Sequence, residues 1–398
     1  MAVDTATAPG ANGGAPQLSF PRDIFAALSP APFLLAHLDA SSSTGSESGK
    51  QKTTTAATTT RPNGRAPTES RTPTINTGSL THCAGSAVVR VGDTAVVCGV
   101  RAEILKAADV PNPPRYEGVA IAEAQEQQEE GDEEESWDDR EELERLGLLV
   151  PNVELATGAT PALMPGQPPS ARAQALTSRL LGAMLAARVV RARDLRVTYK
   201  APRMEGEGEG EDGDEEVGGR EVKAYWTLYV DVLFISLDGN AWDAAWAAVI
   251  AALRDTVLPR AWWDADMEAV LCSDRVEEAR GLRLRGQPVA LSCAVFEPGK
   301  GRGVGAPKVL GVGGEDGQAS EDQERAWVLV DPDAFEETNC QETVSVLVDV
   351  VGGQCVLHAI EKSGGGVVSR DVLRGVVGLA EERWKVWDKA FSETGGKS

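Results

Sequence analysis

Histidine is scarce in this chain. There are three in 398 residues, His37, His82 and His358, and no two lie close in sequence. Such scatter excludes a local His-based metal motif and leaves structural roles for each. The six cysteines, Cys83, Cys98, Cys272, Cys293, Cys340 and Cys355, include no C-x-x-C pair. Most sit in apolar, strand-like runs such as "AVVCGV" and "ALSCAVF", which reads as small buried hydrophobes in a reducing compartment. No apolar run approaches the ~18–20 residues that a membrane helix needs. The opening "MAVDTATAPGANGGAPQ" has neither a basic start nor an apolar core, so no secretory signal is expected. Aromatics are only 5%, and no aromatic RNA-stacking motif is visible. There is no P-loop and no Ser/His/Asp nucleophile pattern. No metal or cofactor is implied.

What is abundant is acid, and it is concentrated. The formal charge is −22. Residues 123–146 hold 13 Asp/Glu and 2 Arg, residues 205–216 hold 8 acids, and residues 314–324 hold 5 acids. Outside these runs the chain carries +2. The folding body is therefore close to neutral, and a pI of 4.6 does not exclude a nucleic-acid partner. The acidic runs are expected to be surface loops, since unpaired carboxylates are almost never buried. With 42% hydrophobic residues the chain can bury a large core.

Along the chain, residues 1–18 read as a disordered tail, 19–38 as two short helices broken at a proline, and 39–60 as a low-complexity linker. A first folded half spans 61–258, with acidic insertions at about 117–146 and 204–220. It contains a Val-rich hairpin around Gly92-Asp93, an extended Pro-punctuated loop beginning "PNVEL", and a helix at about 170–190. A long strand, 224–237, is apolar on both faces near its end, which predicts cover on both sides. Helix 241–257 follows, with Trp246, Val249, Ile250 and Leu253 on one stripe. A second half spans 259–392, with an acidic loop at about 312–325. Its strands are predicted near 289–296, 326–331, 342–351 and 354–361, and a closing helix is capped by Ser369. Strands then helix, twice over, describe two similar halves.

Between strand 224–237 and helix 241–257 lies Asp238-Gly239-Asn240. A strand, a glycine turn and a helix N-terminus form a geometry that can hold phosphate. It is equally the geometry of a plain turn with an Asn cap.

Four collinear stretches decide which family the chain resembles: "RPNGRAPTESR", "INTGSLTHCAGSAVVRVGDTAVVCGVRAEI", "PNVEL" and "VDVLFISLDGNAWDAAWAAVIAAL". Together they resemble the RNase PH family. They are most similar to the non-phosphorolytic ring subunits of the eukaryotic RNA exosome. The resemblance implies an α+β, ribosomal protein S5 domain 2-like fold, with two β-rich halves and helices packed on the sheets. It implies pairing with another RNase PH-like subunit in a six-membered ring whose pore passes single-stranded RNA. An S1/KH-type cap subunit, an associated 3′-5′ exonuclease, and a place in the nucleus, nucleolus and cytoplasm are implied as well. No membrane partner is implied.

Active members of that family carry an Asp-Gly-Gly-Thr-Arg type loop that binds phosphate. The matching positions here are Asp238, Gly239, Asn240, Ala241 and Trp242. The hydroxyl and the guanidinium are both missing, and an indole offers one neutral donor in their place. The family's acidic cluster is matched by Asp331, Asp333, Glu336 and Glu337. These carboxylates suit a metal or a general acid, or else form a solvated turn after a strand. The reading is therefore a vestigial site and no catalysis. The alternatives are an active phosphate-dependent 3′-5′ exoribonuclease and a stand-alone RNA-binding module.

The candidates for RNA phosphate contact are Arg61, Arg65 and Arg71, then Arg90 and Arg101 by the hairpin, then Lys300, Arg302 and Lys308 in a Gly-rich loop. For the first three, an internal ion pair with Glu69 or another acid competes with RNA contact.

Overall fold

The computed structural model describes residues 21–39, 60–111, 135–161, 163–165, 168, 170–200, 220–297, 308–310, 325–365 and 368–394. The tail and linker expected at 1–18 and 39–60, and the acidic run 205–216, fall almost wholly outside them. Two compact units are present, Met1–Ala66 and Pro67–Ser398.

In the first unit, α1 (Arg22–Leu28) and α2 (Pro30–Asp39) are separated at Ser29, next to the helix-starting proline. Phe25 and Phe33 meet edge to face at 5.8 Å, and the Arg22 guanidinium lies 5.7 Å from the Phe33 ring centre. Arg22 also donates to the Pro62 carbonyl at 2.8 Å.

The second unit runs β1 (Pro73–Thr77), β2 (Gly85–Val91), β3 (Thr94–Lys106), α3 (Glu135–Leu146), β4 (Leu149–Leu155), α4 (Ala171–Ala186), α5 (Ala192–Leu195), β5 (Arg196–Lys200), β6 (Arg220–Ser236) and α6 (Ala241–Asp255). It continues with β7 (Val257–Leu258), β8 (Ala261–Asp264), β9 (Ala269–Cys272), β10 (Arg280–Gly281), β11 (Val289–Phe296), β12 (Lys308–Leu310), β13 (Arg325–Val330), α7 (Ala334–Asn339), β14 (Glu342–Val351), β15 (Gln354–Ser363) and α8 (Arg370–Thr394). One large sheet has the order β1-β2-β3-β6-β4, with β5 also on β6; a second is β12-β13-β11-β14-β15; β10-β7 and β8-β9 form two small ones. Among the described residues only β4 and β12 join their sheets in parallel. Helix α6 packs on β2 and β3 of the first sheet and on β11 of the second. It is consequently buried nearly all round, as its alanine-rich sequence permits. Helix α8 packs on β11 and β14 and reaches β1. Two β-rich halves with helices against the sheets are thus present as expected.

Several expectations are corrected. The acidic stretch before residue 146 is not all loop. Residues 135–146 form α3, Leu143 is in the core, and Asp139 and Glu142 are buried. They are tolerated because they are paired, Asp139 with Arg285 and Glu142 with Arg196. "PNVEL" is a strand of the first sheet. The end of β6 is covered on one face only: Val232 and Phe234 are buried, but Leu233 and Ile235 are exposed. The cysteines divide as well. Cys98 and Cys293 are buried, Cys83 and Cys340 half-buried, and Cys272 and Cys355 exposed. Among the described residues no helix is long and apolar enough to cross a membrane.

Candidate functional site

The corner after β6 is built from both halves of the second unit. Thr94, fully buried, accepts from the Asp238 amide at 3.0 Å and donates to the Gly239 carbonyl at 3.1 Å. Gly239 has φ +70° and packs flat on the backbone before α7: a Cβ there would sit 2.6 Å from the Ala334 nitrogen. Glycine is thus required twice, for its dihedral and for its missing side chain. Asn240 has φ +47° and caps α6, accepting from the Asp243 amide.

The amide that a phosphate would use is already occupied. Asn240 N–H donates to the Glu337 carboxylate at 2.6 Å. Glu337 also pairs with Arg172 of α4 at 3.0 Å. The anion at this helix N-terminus is a side chain of the same protein. Trp242 is turned into the core, stacked on Trp246 at 5.9 Å between ring centres. The Arg179 guanidinium lies 4.0 Å from the centre of the Trp242 ring and pairs with Glu361. A cleft of about 220 Å³ remains here, lined by Arg172, Arg179, Trp242, Ser345 and Glu337 among others. Arg172 and Arg179 escaped sequence reading. Their only signal was a seven-residue spacing on a helix.

The acidic cluster is not a solvated turn. Asp331 is 1% exposed and has φ +51°. Its two carboxylate oxygens accept from Arg71: Nε and the backbone N–H on Oδ2 at 3.0 and 2.8 Å, Nη2 on Oδ1 at 2.8 Å. Asn240 Nδ2 adds a further bond to Oδ1 at 2.6 Å. Burial alone would raise this carboxyl, but the Arg71 hydrogen bonds and charge hold it down to about 2. Asp333 caps α7 in a reciprocal capping box with Glu336, which is fully buried. All four acids therefore have structural partners, and among the described residues no group of three or more His, Cys, Asp or Glu is placed to hold a metal.

Beneath the corner lies Asp243, buried, with its carboxylate accepting from Asn240 Nδ2 at 2.8 Å, the Ser292 amide at 3.0 Å and the Ser292 hydroxyl at 2.8 Å. Burial pushes it up to about 6; the Asn240 and Ser292 bonds oppose the rise, while the charge of Asp331 adds to it.

The RNA candidates are not brought together. Arg71 follows the internal ion-pair alternative, with Asp331 in place of Glu69. Arg61 is buried and donates to the Ala66 carbonyl at 3.0 Å, so it is no surface phosphate contact. Arg65 is half-buried, with its amide on the Asn63 side chain. Arg90 is exposed beside Asp93, and Arg101 pairs with Asp231 and Glu103 over the Tyr229 ring. Lys300 and Arg302 lie outside the described residues, and of Lys308 only the backbone of β12 is described.

Residues 69–259 match domain 1 of the 3′ exoribonuclease family, RNase PH. The chain is 28% identical over 284 residues to the exosome complex component rrp43 of Schizosaccharomyces pombe, covering 71% of this chain and 77% of that one. It is 24% identical over 323 residues to the exosome complex component Rrp42 of Methanothermobacter thermautotrophicus, covering 81% and 86%. The solved exosome of Archaeoglobus fulgidus with RNA bound to the active site contains a chain of similar fold. Its TM-score is 0.55 at 20% identity, over 93% of this chain and 98% of that one.

Proposed function

We propose, from the match of residues 69–259 to the RNase PH family and the similarity to exosome components, that this chain is a non-catalytic subunit of an exosome-type ring. It pairs with another RNase PH-like subunit and helps form the pore that delivers single-stranded RNA to an associated 3′-5′ nuclease. A cap subunit of S1/KH type and residence in nucleus, nucleolus and cytoplasm belong to the same reading. One observation carries the non-catalytic part: the Glu337 carboxylate takes the Asn240 amide while Trp242, at the arginine position, is packed in the core. An incoming phosphate would meet a carboxylate where it needs a donor, and like charges repel.

The assembly part is supported by exposed apolar groups on two strands, Leu233 and Ile235 on β6 and Val356, Leu357 and Ile360 on β15. Strand β15 is the edge of its sheet. Patches of this kind mark protein contacts. Two measurements test the proposal. Co-expression with an RNase PH-like partner, read by light scattering, is expected to give a stoichiometric complex. Incubating that complex with labelled RNA and inorganic phosphate is expected to release no nucleoside diphosphate. Release that depends on this chain would establish the active phosphorolytic alternative. A stable monomer that ignores the partner at high concentration would remove the ring.

A further inference from the structure

Far from the vestigial loop lies a second and larger cleft, of about 760 Å³. Strand β5 forms one wall and enters the sheet with Arg196 opposite Tyr225, near the start of β6. The phosphate-loop corner is beyond the other end of β6, about 40 Å away at ~3.3 Å per residue. One wall, α5 and β5, contributes Arg193 and Arg196. The other, around β7, β8 and β10, contributes Arg260, Arg280 and Arg283. The lining holds five arginines and a single acid, Asp194.

Nearby acids neutralise part of this charge. Glu142 pairs with Arg196, Glu278 with Arg260, and Asp194 sits beside Arg193. Arg280 and Arg283 are exposed, and neither forms an ion pair with a described residue. Positive charge is thus left over in a concave site, where low-dielectric walls focus the field on an anion. Guanidinium is the group whose forked donors match a phosphate. A volume of this size suits a ligand larger than one phosphate ion. Trp226 is the one aromatic residue of the lining, and it is buried. Arginines spread along both walls suit the successive phosphates of a nucleic-acid strand.

We propose that the cleft between β5 and the β7–β10 segment, walled by Arg193, Arg196, Arg260, Arg280 and Arg283, is a binding site for the sugar-phosphate backbone of single-stranded RNA. The site belongs to this chain alone and does not depend on ring assembly, so it is testable whether or not the ring reading holds.

The test uses the full chain and a short fluorescein-labelled oligouridylate, followed by anisotropy across a salt series in phosphate-free buffer. The double variant Arg280→Ala/Arg283→Ala is expected to lose roughly tenfold in affinity, and its log K against log salt slope should flatten by about 1.4, at ~0.7 per phosphate contact. Arg280→Lys/Arg283→Lys should keep the slope, and Lys389→Ala, exposed on α8, should change neither quantity. Arg260→Glu, a single charge reversal between β7 and β8 on the same wall, supplies the same readout if the double variant melts at a lower temperature. RNA binding with unchanged affinity and slope in these cleft variants would overturn the proposal. So would an oligoglutamate peptide of matched charge that displaces the RNA as well as unlabelled oligouridylate does, which would reassign the cleft to acidic proteins.

Discussion

Arg71 and Asp331 stand 260 residues apart and meet as a bidentate pair, with Nε on one carboxylate oxygen at 3.0 Å and Nη2 on the other at 2.8 Å. Arg71 Nη1 also donates to the Asp238 carbonyl at 2.7 Å. One guanidinium therefore clips the corner at Asp238–Asn240 to the acidic segment that begins at Asp331, across most of the length of the second unit.

Breaking that clip should be expensive and pH-dependent. Asp331→Asn is expected to cost about 3 kcal/mol at neutral pH, because it leaves the buried Arg71 with only the half-exposed Asp238, at 3.6 Å, to balance its charge. The native carboxyl lies at about 2 against an ordinary 3.8. A depressed acid stabilises the fold above its unfolded pKa, and the gain disappears as pH falls through the folded value. The gap between wild type and Asp331→Asn, read by urea unfolding, should narrow between about pH 4 and pH 2. A pH-independent gap would show that Asp331 acts by packing alone.

Trp242→Ala is expected to cost about 3–5 kcal/mol, the range for truncating a buried aromatic. Trp242→Arg should be no gentler, since it places a cation beside Arg179. It should also fail to create a phosphate site, because Glu337 still holds the Asn240 amide. Calorimetric titration with phosphate should give no heat of binding in Trp242→Arg and a measurable one only when Glu337→Gln is added.

The acidic run before residue 146 should divide sharply on deletion. Removing residues inside 112–134 is expected to leave the melting temperature within a few degrees. Removing 135–146 takes away buried Leu143, Asp139 and Glu142 and the partners of Arg285 and Arg196. That deletion should give insoluble or unfolded chain. Equal tolerance of both deletions would mean that α3 contributes no stability.

Thiol labelling of the native chain should separate the cysteines. Cys272 and Cys355 are exposed and should react with maleimide first. Cys98 is buried, and burial pushes its thiol far up, so it should react only on unfolding. Mass spectrometry after a timed pulse reads the order, and early modification of Cys98 would contradict its placement.

Much of this was legible in the sequence, for definite reasons. Helices α6 and α8 and strands β11, β13, β14 and β15 have periodic apolar patterns, and these fix both type and position within a residue or two. The corner at 238–240 was readable because Gly and Asn advertise left-handed backbone, and both adopt it. Helix α3 was not readable. Its core contact rests on few apolar residues such as Leu143 among acids whose partners lie far away in sequence. The exposed face of β6 was missed because Leu233 and Ile235 are as apolar as their buried neighbours, and sequence does not say who covers them. The arginine cleft was missed for a third reason: its five side chains come from segments 193–196 and 260–283, which the Val190–Leu284 bridge and the packing of β5 on β8 bring together.

Arg383 of α8 donates to the Arg71 carbonyl at 2.7 Å, across 312 residues of sequence. During synthesis at about 5–20 residues per second, Arg71 emerges roughly 15–60 s before that donor exists. Strand β1, which α8 also touches, must wait as well. For that interval the nascent chain carries a first sheet not yet covered by α8, and its dependence on chaperones should be greatest then, easing once that helix has been made.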